Sequence, residues 1–193
     1  MHLNSQLIFA KHALSCFRDG MRVLEIGPDG FPSTYRKIVN NSTLQWDTLD
    51  IFEDQRLTYR AKGDYDFGIP SNTYDIVFSG QVIEHVRKTW LWMPEVARVC
   101  KPGGIVITIN PVSWGYHEAP IDCWRIYPEG MKSLYDEAGL QVDLSVAESL
   151  EPFKNRFMQY LKVFRKVITG GRVAASGLPP IIDTITVGHK PAA

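Results

Sequence analysis

The sequence predicts an α/β protein in which a mostly parallel sheet carries helices on both faces, and three observations lead there. Short apolar runs with β-branched members recur, among them Val23–Ile26, Tyr74–Ser79 and Ile105–Ile109, each of strand rather than helix length. Stretches with apolar residues at helical spacing separate them, and that alternation favours right-handed crossovers between parallel strands. The first run closes on Gly27-Pro28-Asp29-Gly30, a tight turn where a buried strand stops. With 193 residues, 45% hydrophobic and 22% charged, the chain is expected to form a single domain over 1–193 with a substantial core.

The formal net charge is zero, so no global field selects nucleic acid, and none is expected as a partner. Cys16, Cys100 and Cys123 are odd in number and lack metal-ligand spacing, which suits a reducing compartment; no metal site is read from them. No run approaches the roughly 20 apolar residues of a membrane span, and no signal-peptide core is visible, so a cytoplasmic location is expected.

In chain order, residues 3–18 place Leu3, Leu7, Ile8, Phe9, Ala13, Leu14 and Phe17 near helical spacing, predicting a helix within 1–20 that ends near Asp19-Gly20. Glu25 stands inside the first strand, one residue before its end. A carboxylate there either binds a ligand at the carboxyl edge of the sheet or caps the following turn. Ser33 or Thr34 caps a helix running to Val39. A second strand covers Leu44–Ile51, and its last acid, Asp50, lies 25 residues beyond Glu25. In nucleoside-binding α/β units an acid about 20 residues on, at the second strand's end, holds the ribose hydroxyls; the alternative is again a turn cap. If both acids bind, two neighbouring strand tips share one ligand.

Residues 59–71 are irregular, with Asp64 in a loop. Tyr74–Ser79 leads into Gly80-Gln81 and then Val82–Val86, which turns helical. A helix over 87–100 must begin or kink at Pro94, and Lys101-Pro102-Gly103-Gly104 is expected to end it before the strand Ile105–Ile109. Residues 111–128 form a long loop, too aromatic for disorder. A helix over 128–138 follows, and Leu140–Val146 and Ile181–Val187 are expected to pair antiparallel. The segment 152–172 holds six basic residues, no acids and an apolar stripe at helical spacing, leaving 15 of the 21 basic residues against all 21 acidic ones elsewhere. Such a basic amphipathic helix, inserted before the last strand, either lies on an anionic membrane surface or packs on the core or on a second subunit in a homodimer.

Taken together, four stretches resemble the class I methyltransferases that use S-adenosylmethionine. VLEIGPDG resembles their first motif, LDI at 49–51 their acid-ended second strand, and YDIVFSGQVIEHV their fourth strand with its E-H-V extension. ARVCKPGGIVITINP at 97–111 resembles their fifth strand and the helix before it. The resemblance covers residue 21 to about 150 and implies a Rossmann-like, doubly wound, seven-stranded sheet with an antiparallel last strand. It implies S-adenosylmethionine as cofactor and a small-molecule acceptor, a metabolite or glycan precursor. By position, Glu25 and Gly27 would contact the methionine end, Asp50 the ribose and Ile51 the adenine. Asp64 would approach the adenine amino group with Tyr65 beside it, and Ser79, Gly80 and Gln81 would line the methionine side. Where family members carry G-x-G-x-G, this chain has Gly27, Asp29 and Phe31, so the Asp29 side chain either narrows the approach or adds a polar contact.

The cofactor brings a sulfonium methyl, and the protein supplies orientation and, if needed, a base. His85 is the first candidate base because imidazole titrates near working pH, and His117 is the second; the E-H-V element equally suits a structural role. Trp114, Tyr116, Trp124, Arg125 and Tyr127 are the expected acceptor wall, since aromatic faces bind sugars or flat rings and Arg holds carboxylate or phosphate. The alternative packs this loop over the cofactor with Arg125 paired to Asp122 or Glu129. Two other functions compete: a non-catalytic binding protein of the same fold acting through 152–172, and a nicotinamide oxidoreductase. The latter wants G-x-G-x-x-G, and Asp29 and Ser33 occupy its second and third glycine positions.

Overall fold

The computed structural model describes residues 1–118, 120–152, 161 and 181–192. The segment 152–172, expected to be a basic helix, lies outside the described residues apart from its first position and Leu161. Strands β1 (Arg22–Ile26) and β4 (Tyr74–Gly80) pair in parallel at the middle of the sheet, where almost every residue is buried. β2 (Gln45–Asp50) and the two-residue β3 (Tyr59–Arg60) extend the sheet in parallel on one side, and β5 (Cys100–Pro111) on the other. β7 (Asp183–His189) runs antiparallel between β5 and β6 (Gln141–Glu148), giving the order β3-β2-β1-β4-β5-β7-β6. This is the expected seven-stranded, doubly wound α/β sheet with a reversed last strand.

Helices cover both faces because strand residues alternate between them. On one face α1 (Leu3–His12) and α2 (Thr34–Val39) bring Ile8, Phe9 and Tyr35 onto Val23, Ile76, Phe78 and Ile107. The Phe9 ring lies 4.7 Å from Tyr35 and 5.1 Å from Phe78, and burying each such ring stabilises the fold by about 1.5–3 kcal/mol. On the other face α3 (Thr89–Val99) and α4 (Pro128–Glu137) bring Trp92, Met93, Val96, Met131 and Tyr135 onto Leu24, Val77 and Val106. No helix among the described residues is long and apolar enough to cross a membrane.

Several boundaries differ from expectation, each for a local reason. α1 stops at His12 rather than near residue 19, because Lys11 and His12 both reach Glu148 on β6 and the chain turns there into a short 3-10 segment, Leu14–Cys16. Pro94 lies inside α3, not at its start. Residues 101–104 do not separate helix from strand: β5 begins at Cys100, paired with Tyr74, and Gly103 takes φ +76° within it. Val82–Val86 forms only a single 3-10 turn, Ile83–His85.

Candidate active site

The carboxyl ends of β1 to β4 open into a cavity of about 410 Å³, the place where open α/β sheets bind ligands and a size within the usual range for small-molecule sites. Gly27 forms its floor. Its φ of +71° suits glycine, its N–H donates to Leu49 O at 2.9 Å, and an added Cβ would stand 2.3 Å from Val82 Cγ2. Asp50 and Ile51 line the β2 side and Asp64 the β3 side, while Gln81 and His85 line the side after β4. Asp50 also serves the turn, accepting from Phe52 N–H through Oδ1 at 3.1 Å, so cleft and cap share one carboxylate. Gln81 is held at φ +62° by its N–H bond to Ile109 O at 2.7 Å, and its amide donates to Asp183 at 3.2 Å.

Glu25 does not share this cavity. The register pairs it with Thr48, two residues short of Asp50, and its side chain turns toward α2. There it is 1% exposed and accepts from Ser33 Oγ at 2.6 Å and Trp46 Nε1 at 2.8 Å. Burial pushes its pKa up to about 7, the two donors pulling against that rise. Its carboxylate thus ties the β1–α2 turn to β2 instead of facing the cavity that Asp50 lines. Asp29 likewise turns away, accepting from Thr34 N–H and Oγ at 2.7 and 2.6 Å beside the Ser33 cap of α2.

Ser79, Gly80 and Tyr65 also stand off the cavity lining. Ser79 is buried; a Cβ on Gly80 would meet the Tyr35 ring at 2.5 Å; and Tyr65 Oη accepts from Lys88 N–H at 3.2 Å. The residues of the expected acceptor wall also stand off this cavity. The long loop reaches the cavity through Pro120 and Ile121, whereas Trp114 stacks on His2 at 4.9 Å and Trp124 donates to Val86 O at 2.8 Å. Tyr116 bonds Glu118 at the surface, and Tyr127 caps α4, both largely exposed. Arg125 is a clasp within the loop: it grips both oxygens of Asp122 at 2.5 and 2.7 Å and donates to the carbonyls of Trp114 and Gly115. That grip holds Asp122 at about 2, well below the usual carboxylate range. Of the two partners expected for Arg125, the structure shows Asp122 rather than Glu129.

The 3-10 turn Ile83–His85 anchors this cover. Cys123 and Trp124 N–H groups donate to Glu84 O, and His85 Nδ1 bonds Ile121 O. A carbonyl can only accept, so Nδ1 carries the hydrogen and Nε2 keeps a lone pair; burial lowers the His85 pKa and favours this neutral form. His117 lies behind, its ring 4.9 Å from that of His85 and edge-on to it. Glu84 was given no role from the sequence, yet it is 1% exposed and neither carboxylate oxygen has a hydrogen-bond partner among the described residues. Burial raises its pKa to about 8. Cleft residues missed from sequence include Ile26, Leu49, Phe67, Val82 and Trp92, apolar groups indistinguishable there from core.

The sheet order and the reversed β7 are those of the Rossmann-like methyltransferase fold. Residues 40–108 match the family described as a methyltransferase domain. Similar solved structures include phosphoethanolamine N-methyltransferase 2 of Haemonchus contortus in complex with S-adenosyl-L-methionine, at 18% identity and TM-score 0.64 over 96% of this chain and 52% of that one. A candidate sarcosine dimethylglycine methyltransferase of Galdieria sulphuraria shares 15% identity at TM-score 0.65, covering 97% and 85%. A chain from a Haloferax volcanii complex of the Trm112 methyltransferase activator with a candidate methyltransferase shares 18% at TM-score 0.64, covering 95% and 89%. No curated protein sequence matches the chain significantly. The chain thus shares its fold with these methyltransferases, and the family match covers β2 through most of β5.

Proposed function

We propose that the chain moves the methyl group of S-adenosylmethionine to a small-molecule acceptor. The observation that carries this reading is the shared lining of one small cavity: Asp50 and Ile51 at the β2 tip, Asp64 after β3, Gly27 below, and His85 beneath the loop. Asp50 keeps an oxygen for the ribose hydroxyls, Ile51 offers an apolar face to adenine, and Gly27 lets the donor approach the backbone. Pro120 and Ile121 of the loop line a cavity of about 410 Å³, a size that suits a small acceptor better than a polymer. The names of the Haemonchus and Galdieria neighbours, both methyltransferases of small amines, support the same acceptor class. His85 stands at the acceptor side as the cleft's Lewis base, its Nε2 lone pair unspent.

Calorimetric titration with S-adenosylhomocysteine tests the reading. Saturable binding is expected, weakened about 10- to 100-fold by Asp50→Ala, the loss of one or two hydrogen bonds to a charged group. Failure of the wild-type chain to bind either S-adenosylmethionine or S-adenosylhomocysteine would remove it.

A further inference from the structure

We propose that Glu84, His85 and His117 form a binding site for one divalent transition-metal cation at the acceptor side of the cleft. One donor atom from each residue lies within 4.8 Å of the other two. Donor pairs around a tetrahedral cation bonded at about 2.1 Å are roughly 3.4 Å apart, so each pair needs to close by at most about 1.4 Å. The strongest reason is Glu84. A buried carboxyl without a hydrogen bond is costly, and here both oxygens lack one among the described residues. Its Oε1 instead faces His85 Nε2 at 3.8 Å, too far for a hydrogen bond. Because His85 Nδ1 carries its hydrogen toward Ile121 O, what meets the carboxyl is a lone pair, an arrangement that a proton or a metal cation between them relieves.

The second imidazole is prepared in the same way. His117 Nδ1 lies 3.1 Å from Gly115 O and 3.4 Å from Asp122, so it too donates through Nδ1 and frees Nε2. Metal-ligating histidines are oriented by this outer hydrogen bond to a carbonyl or carboxylate. Arg125, the nearby cation, does not substitute, since its guanidinium is committed to Asp122 and three carbonyls. Two imidazoles and one carboxylate suit Zn²⁺, Co²⁺, Fe²⁺ or Mn²⁺ rather than Ca²⁺ or Mg²⁺, and leave coordination positions open. His85 alone of the three lines the cavity, so an open position points to the acceptor. Resting on the methyltransferase reading, the consequence is an acceptor bearing an oxygen donor. Bound to the cation its hydroxyl gives up a proton to water; the oxygen then bonds the methyl carbon as the carbon–sulfur bond breaks, leaving S-adenosylhomocysteine.

The test is titration of the purified full chain, treated with chelator and dialysed, with Co²⁺, followed by visible absorbance and calorimetry. One equivalent is expected with d–d bands, and Glu84→Gln and His117→Ala should each weaken it at least about tenfold. Neither residue lines the cavity, so S-adenosylhomocysteine affinity in both variants should stay within about threefold and report that they are folded. Absence of saturable Co²⁺ binding up to about 1 mM, or binding that neither variant weakens, overturns the site. Co²⁺ binding without S-adenosylhomocysteine binding would keep the cation site and sink the methyltransferase reading instead.

Discussion

Glu25 and Glu84 invite comparison because they are equally buried and opposite in circumstance. Each is 1% exposed, each stands near the carboxyl end of a central strand, and burial raises the pKa of both. Glu25 is answered by Ser33 and Trp46; Glu84 is answered by no hydrogen bond among the described residues. Depth alone therefore says nothing about role. The set of donors does: one acid is a finished cross-link between β1, β2 and α2, the other is a ligand held in reserve.

The sharpest way to break this comparison is to give both positions leucine. Glu25→Leu strands the Ser33 and Trp46 donors and should destabilise by about 2–4 kcal/mol, whereas Glu84→Leu in chelator-treated protein removes an orphaned carboxyl and should stabilise by about 1–3 kcal/mol. Urea midpoints measure both, and equal signs would refute the distinction. Next in size is pH. The folded pKa of Glu25 lies above its ordinary value, so its contribution is full below about pH 4.5 and is lost as the pH rises through about 7. Asp29 and Arg36 face it with opposite effects. At about 1.4 kcal/mol per unit the loss reaches at most ~3 kcal/mol, and Glu25→Gln should flatten the stability profile across that window. Smaller again is a contrast between glycines. Gly27→Ala, strained in φ and against Val82, should cost about 1–3 kcal/mol and weaken S-adenosylhomocysteine binding, while Gly30→Ala, which meets only Pro32 O at 3.8 Å, should do neither. Least of all, Trp114→Ala should leave cofactor affinity within about twofold by calorimetry, because that ring rests on His2 and outside the cavity.

The sheet was legible wherever a strand is buried on both faces. Val23–Ile26 and Tyr74–Ser79 are continuous apolar runs that helices cannot explain by length, and Asp50 stands at its strand tip where a polar residue breaks such a run. Illegible were features decided by distant partners. β3 is two residues long and exists only because Leu49 and Asp50 pair with it. α1 ends where Glu148, 136 residues away, engages His12. The loop's rings could be counted in sequence, but which side of the chain they fall on is set by Arg125 gripping Asp122 and by Glu84 O holding residues 123 and 124. Spacing likewise shows that Glu25 precedes a turn; only the pairing register shows that it faces α2.

The reversed strand has a consequence for how the chain is made. Because β7 runs against its neighbours, its first residue, Asp183, reaches the ligand-binding edge and bonds Gln81 and Asn4. β7 also lies between β5 and β6, so β6 has no place in the sheet until a strand synthesised some 35 residues later slides in beside it. A ribosome-bound chain lacking residues after 180 would therefore expose the open edge of β5 to association, and would lack the carboxylate that steadies Gln81.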